Sequence, residues 1–255
     1  MTAAIVAIRV SYKYPDGTSA LDEVSFSIEA GECVGLVGPS GAGKSTLGMC
    51  IAGLAYPQKG KIVIGGVEIV RKNLAEARKK VGLIFQNPDD QLFMPTLYDD
   101  VAFGPLNQGL KGDELDLKVK KALADRGIEK LAVKFPGHLS GGQKRLASLA
   151  TVLVMAPEVL ILDEPSSNLD PHSRRNLIGQ LGALTNTRLI AGHDLEMALD
   201  ICTRVLILSG GRLIADGDPV QVLGDKSLME SNALEVPHSL LPHREMHHLA
   251  RSRQK

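Results

Sequence analysis

The chain has 255 residues, 29 Lys+Arg against 29 Asp+Glu, and 44% hydrophobic content. This length accommodates one large or two small domains, and the even charge balance argues against a nucleic-acid partner, which calls for a basic excess or stripe. No apolar run reaches the roughly 18 residues of a membrane span, and the first residues lack the charged start and apolar core of a secretion signal. Cys33, Cys50 and Cys202 sit in apolar surroundings and read as reduced core residues of a cytosolic chain, not as disulfides or metal ligands.

Residues 5–12 alternate loosely and predict a strand, closed by the turn signal Tyr14-Pro15-Asp16-Gly17. Residues 20–28 alternate again, with Val24, Phe26 and Ile28 on one face and Ser25 and Ser27 on the other. An antiparallel β region is therefore expected ahead of Glu29-Ala30-Gly31-Glu32, a turn. Tyr14 is a candidate to stack on a base, against the alternative of a tyrosine at a sheet edge.

The apolar run Cys33–Val37 predicts a short buried strand, and residues 47–53 can continue as a helix. Between them lies Gly38-Pro39-Ser40-Gly41-Ala42-Gly43-Lys44-Ser45-Thr46. Strand, glycine-rich turn and helix together make G-x-x-x-x-G-K-[ST] a phosphate-binding loop. The glycines let backbone N–H groups close on a phosphate, and the helix adds its unpaired N–H groups and positive dipole end. Lys44 is expected to reach the β- and γ-phosphates, Ser45 a magnesium ion, and Thr46 a further phosphate oxygen.

A strand and a Gly65-Gly66 hairpin turn are expected over residues 60–69, and a buried strand over Val81–Phe85. Gln86 follows at its end, where an amide can touch a metal ion or attacking water, or simply cap the strand. Residues 113–125 place Leu115, Val119, Ala122 and Leu123 on one helix face. This region reads as an inserted helical subdomain, about 88–156. Leu92, Phe93, Met94 and Leu97 are candidates for partner contact or for packing within it. Leu139-Ser140-Gly141-Gly142-Gln143 opens a long helix over 143–156, so Ser140 and the two glycines offer a second anion nest or an ordinary helix cap.

Val159–Leu162 predicts a buried strand ending in Asp163-Glu164. In a chain with a phosphate loop, Asp163 is expected in the magnesium shell and Glu164 beside the attacking water. Ser167–Asp170 forms a turn before a helix from about residue 172. A strand at 188–192 ends in His193, placed to lie over a γ-phosphate. A hairpin is expected at 204–216, and the pattern fades after about residue 225. His238, His243, His247 and His248 in the tail read as a frayed polar end or a metal-carrying segment.

These ordered motifs resemble the ATP-binding subunits of ABC transporters over residues 5–225. GPSGAGKST (38–46) is similar to the Walker A loop, Gln86 to the Q-loop glutamine, LSGGQ (139–143) to the signature sequence, and LILDEP (160–165) to Walker B with its catalytic glutamate. Ser167 to Asp170 resembles the D-loop, His193 the switch histidine, and Tyr14 the aromatic that stacks on adenine. The resemblance implies an α/β P-loop NTPase core with a mostly parallel sheet, an N-terminal antiparallel β subdomain and the helical insert, all within residues 1–230. It also implies ATP and Mg2+ as ligands, and a second ATP-binding subunit arranged head to tail. Ser140, Gly141, Gly142 and Gln143 of one subunit, and Asp170, would then complete the site on the other.

Phe85–Phe93 and Asp100–Asn107 resemble the ATPases of energy-coupling factor importers, especially the cobalt and nickel branch. That implies a transmembrane coupling protein, a substrate-capture membrane component and a place on the cytoplasmic face of the membrane. A short C-terminal extension points to the metal branch. A vitamin importer of the same class (for biotin, for example), a soluble non-transport ABC ATPase and an ATP-binding adaptor are the competing readings. Gly192, where many relatives have Ser or Thr, and Ser166-Ser167-Asn168-Leu169-Asp170 depart from the common pattern.

Overall fold

The computed structural model describes residues 3–241. Strands β1 (Ala3–Lys13) and β2 (Ser19–Glu29) pair antiparallel, and β3 (Cys33–Val37) leads into α1 (Lys44–Ile51). Then come β4 (Lys59–Ile64), β5 (Val67–Glu68), α2 (Leu74–Lys80) and β6 (Val81–Ile84). Helices α3 (Leu97–Asn107), α4 (Gly112–Asp125) and α5 (Gly141–Leu153) follow. The chain continues through β7 (Val159–Asp163), α6 (Pro171–Gly182), β8 (Thr187–Gly192), α7 (Leu195–Ile201), β9 (Arg204–Ser209) and β10 (Arg212–Gly217). It closes with α8 (Pro219–Gly224) and α9 (Lys226–Ser231).

Two sheets result. One is antiparallel in the order β2-β1-β4-β5; the other runs β10-β9-β3-β8-β7-β6 and is parallel except for the β9–β10 hairpin. The strands of the second sheet read as continuous apolar runs because both faces are covered. Their alternation decides which core each side chain joins. Val34, Leu36, Val159, Ile161, Leu189 and Ala191 pack toward the antiparallel sheet and α1. Cys33, Val37, Leu160, Leu162 and Ile190 pack on the opposite face with Leu177, Leu181 and Met197 of α6 and α7. The expected β architecture is therefore present in both sheets.

Helices α3, α4 and α5 share a separate core of Leu97, Val101, Leu115, Val119, Leu123, Ala147 and Ala150. Leu92 and Leu97 are buried there, so they are packing residues; Phe93 stays 62% exposed. Phe85 lies outside β6 and is exposed, because the strand ends at Ile84. The signature helix starts two residues earlier than its apolar pattern, since Gly141 and Gly142 form its first turn. All three cysteines are buried and unlinked. His238 lies in a short turn; His243, His247 and His248 fall outside the described residues. Among the described residues no helix is long and apolar enough to cross a membrane.

Candidate nucleotide site

The C-terminal ends of β3, β7 and β8 open at one edge of the parallel sheet, where ligands of α/β folds collect. A cavity of about 620 Å³ lies there, walled by Ser40–Thr46, Tyr14, Gln86, Glu164, Ser167 and His193. Thr18, Ser19 and Ala20, just past the Tyr14 turn, also line it. Those three were not singled out in the sequence; their only signal is adjacency to the turn that carries Tyr14.

The loop holds its shape through two close approaches. A Cβ on Gly43, at φ +103°, would stand 2.3 Å from the carbonyl oxygen of Ala20. A Cβ on Gly38 would stand 2.0 Å from that of Leu208. Neither contact admits a side chain. The Lys44 ammonium donates to the carbonyls of Gly38 at 2.6 Å and Pro39 at 3.1 Å. Burial pulls it below its ordinary value, and the carboxylates of Glu164 and Asp163 oppose that shift. The Tyr14 hydroxyl lies 2.8 Å from Thr46 Oγ1, and Tyr12 meets the Tyr14 ring edge-on at 5.2 Å. The ring of Tyr14 therefore stands at the mouth of the loop, tied to the helix that carries the phosphate donors.

Glu164 turns off the end of β7 with φ +46°, a left-handed conformation costly for a side-chain-bearing residue. Its backbone N–H donates to Ala191 on β8 at 2.8 Å, which fixes that turn. Its carboxylate lies 3.2 Å from His193 Nε2 and accepts from Ser167 Oγ at 3.3 Å. His193 Nε2 is also 3.4 Å from Lys44 Nζ. The imidazole edge thus stands between the Lys44 ammonium and the Glu164 carboxylate. Gly192 allows this approach, since a Cβ there would lie 3.2 Å from Glu164 Oε2.

Asp163 Oδ1 is buried without a hydrogen-bond partner among the described residues. An orphaned carboxylate oxygen behind a phosphate loop, with Ser45 and Gln86 on the cavity wall, suits a hard divalent cation with phosphate oxygens completing its shell. The residues present fit magnesium.

Ser140, Gly141, Gly142, Gln143 and Asp170 do not line this cavity. Ser140 and Gln143 form a reciprocal capping box at the start of α5. Gly141 lines a separate groove with Gln86, Asn168 and Leu169. Asp170 caps α6, accepting from the N–H groups of His172 and Ser173. Sequence reading also missed Arg145, whose buried guanidinium holds the backbone at Gln86.

Residues 21–167 match the family described as ABC transporter. The putative ABC transporter ATP-binding protein gll0289 of Gloeobacter violaceus is 49% identical over 242 residues, covering 94% of this chain and 99% of its own. The energy-coupling factor transporter ATP-binding protein EcfA of Methanothermobacter thermautotrophicus is 42% identical over 233 residues, 89% of this chain and 75% of its own. Among solved structures, cbiO1 of Clostridium perfringens, part of the ABC transporter complex cbiONQ, matches with a TM-score of 0.81 at 36% identity, covering 91% of this chain and 94% of its own. The chain belongs to the ABC transporter ATP-binding family and is an ATPase that binds ATP. Within that family it is of the energy-coupling factor type.

Proposed function

We propose that this chain powers an energy-coupling factor importer for cobalt or nickel ions, as one of two ATP-binding subunits placed head to tail on the cytoplasmic face of the membrane. Its ATP-binding domain spans residues 1–230. The observation that carries the paired arrangement is the separation of the two phosphate-binding elements. The cavity at Lys44 holds no residue of 139–143, so one chain supplies half a site. The helix N-terminus at Ser140–Gln143 supplies the other half to a second copy or close paralogue.

The geometry supports a division of labour among these residues. Lys44 and the loop N–H groups neutralise and hold the β- and γ-phosphates. Tyr14 stacks on the adenine. Glu164 orients the attacking water and takes its proton, and His193 holds the Glu164 carboxylate and faces the γ-phosphate. Ser45, Asp163 and Gln86 would hold magnesium, which would supply charge neutralisation on the phosphate oxygens. A transmembrane coupling protein and a separate substrate-capture component receive the motion through the helical insert after Gln86. The metal-ion cargo rests on the likeness of residues 85–93 and 100–107 to that branch, and on similarity to cbiO1.

Uptake of labelled cobalt, nickel and biotin by membranes containing the co-purified complex tests the cargo. ATP-dependent accumulation of cobalt or nickel alone is expected; accumulation of biotin instead overturns it. Co-purification with ribosomes or DNA in place of membrane proteins overturns the transport reading.

A further inference from the structure

Helix α5 does more than present the signature residues at its start. Arg145, one turn into it, is 2% exposed, and its guanidinium reaches across to the chain just past the end of β6. Nη1 donates to the Phe85 carbonyl at 2.8 Å and Nη2 to the Gln86 carbonyl at 2.6 Å, while Nε has no partner among the described residues. The same helix grips the following residues. Gln91 Nε2 donates to the Ser148 carbonyl at 2.8 Å and to Thr151 Oγ1 at 2.7 Å, and Lys144 pairs with Asp89 at 2.6 Å. Residues 85–91 are thus clamped to one face of α5, and Gln86 stands on the wall of the nucleotide cavity.

We infer that Arg145 is a positioning residue for Gln86, locking the Gln86 backbone to the helix whose first turn offers the signature N–H groups. The inference rests on the reading of Gln86 as a site residue. Two carbonyls on successive residues suit a planar fork with two parallel donor groups; a lysine ammonium is a single point that cannot reproduce it. Burial pushes the guanidinium pKa down to about 10. Because the clamp joins Gln86 to α5, a displacement of the signature helix moves the amide with it.

The test is a double-mutant cycle in the full chain with its partners, using Arg145→Lys and Gln86→Ala. Arg145→Gln serves as a second variant should the lysine not fold, and thermal unfolding checks both. Arg145→Lys is expected to lower kcat about 10- to 100-fold, the scale of a one-ångström misplacement, while the KM for ATP moves less than about threefold. Amide exchange over residues 85–91 is expected to rise, with exchange in β3 and β8 unchanged. In the Gln86→Ala background the Arg145 substitution should cost less than about twofold, because coupled residues are non-additive. An equal loss in both backgrounds, or unchanged exchange over 85–91, overturns the positioning role. A Gln86→Ala protein with normal turnover but faster exchange in the arginine variant overturns the reading of Gln86 itself, and the catalytic purpose of the clamp with it.

Discussion

Glu164 is held at both ends of His193: one carboxylate oxygen lies 3.2 Å from the imidazole Nε2 and the other 3.3 Å from the backbone nitrogen. The acid that faces the phosphate loop is therefore fixed by a different strand from its own. Glu164→Gln keeps the shape and one carbonyl acceptor but cannot take a proton. Steady phosphate release is expected to fall about 10²- to 10⁴-fold, with ATP still bound. Turnover equal to that of the unchanged protein refutes the role of Glu164 as base.

Gly192 separates stability from activity. Its φ is not in the left-handed region, so an alanine costs no backbone strain and lowers unfolded-chain entropy, a gain of about 0.4–1 kcal/mol. The added Cβ meets Glu164 Oε2 at 3.2 Å, and that carboxylate is tied to His193 and Ser167. Gly192→Ala is expected to leave the unfolding temperature unchanged or higher, while kcat falls about tenfold. Calorimetry beside a phosphate-release assay checks the split; a drop in both, or in neither, contradicts it.

Tyr14 has two separable parts. Tyr14→Phe removes only the 2.8 Å contact with Thr46 and should change ATP affinity less than about threefold, the lower end of the worth of one part-buried neutral hydrogen bond. Tyr14→Ala also removes the ring, and stacking on a base is worth about 1–3 kcal/mol. Affinity for ATP should fall about 5- to 150-fold in that variant, read by equilibrium titration. Equal losses in the two variants would place the effect on the hydroxyl and remove the stacking role.

Asp194 caps α7 and receives both guanidinium arms of Arg174, at 2.6 and 2.7 Å. Burial pushes its pKa up, but Arg174, the Met197 N–H and Ser166 outweigh that and leave the carboxyl below the ordinary aspartate range. A depressed carboxyl contributes stability that is present above its unfolded value and lost as pH falls through the folded one. Arg174→Ala is expected to cost about 1–3 kcal/mol at neutral pH. That difference should shrink below the ordinary aspartate range. Urea unfolding at pH 7 and pH 3 measures it; a pH-independent difference assigns the loss to packing.

The phosphate loop and the acidic strand end were legible because their chemistry is local: nine consecutive residues, or two adjacent ones, carry it. The buried strands were legible because apolar runs of four or five residues between turns admit few other readings. The helix at 97–107 was not read from the sequence, although Thr96 and Asp99 form its cap and mark its start. What stayed hidden depends on contacts between distant positions. Arg145 sits sixty residues from Phe85 in the chain, and no spacing rule links them. The polarity of Asp100 likewise does not announce that its carboxylate is buried to hold the N–H groups of Phe93 and Met94. Nor does periodicity give the strand order β3-β8-β7, since each of these strands is buried on both faces in the same way.

That order has a consequence for how the protein is made. β3, with the phosphate loop, and β7, with Asp163 and Glu164, do not pair with each other; β8, residues Thr187–Gly192, lies between them. A nascent chain emerging from the ribosome carries its phosphate loop early, yet has a missing slat in the sheet until residue 192 has cleared the exit tunnel. Nucleotide binding during synthesis should therefore switch on late and abruptly, when β8 slots into place, and not when the loop itself appears.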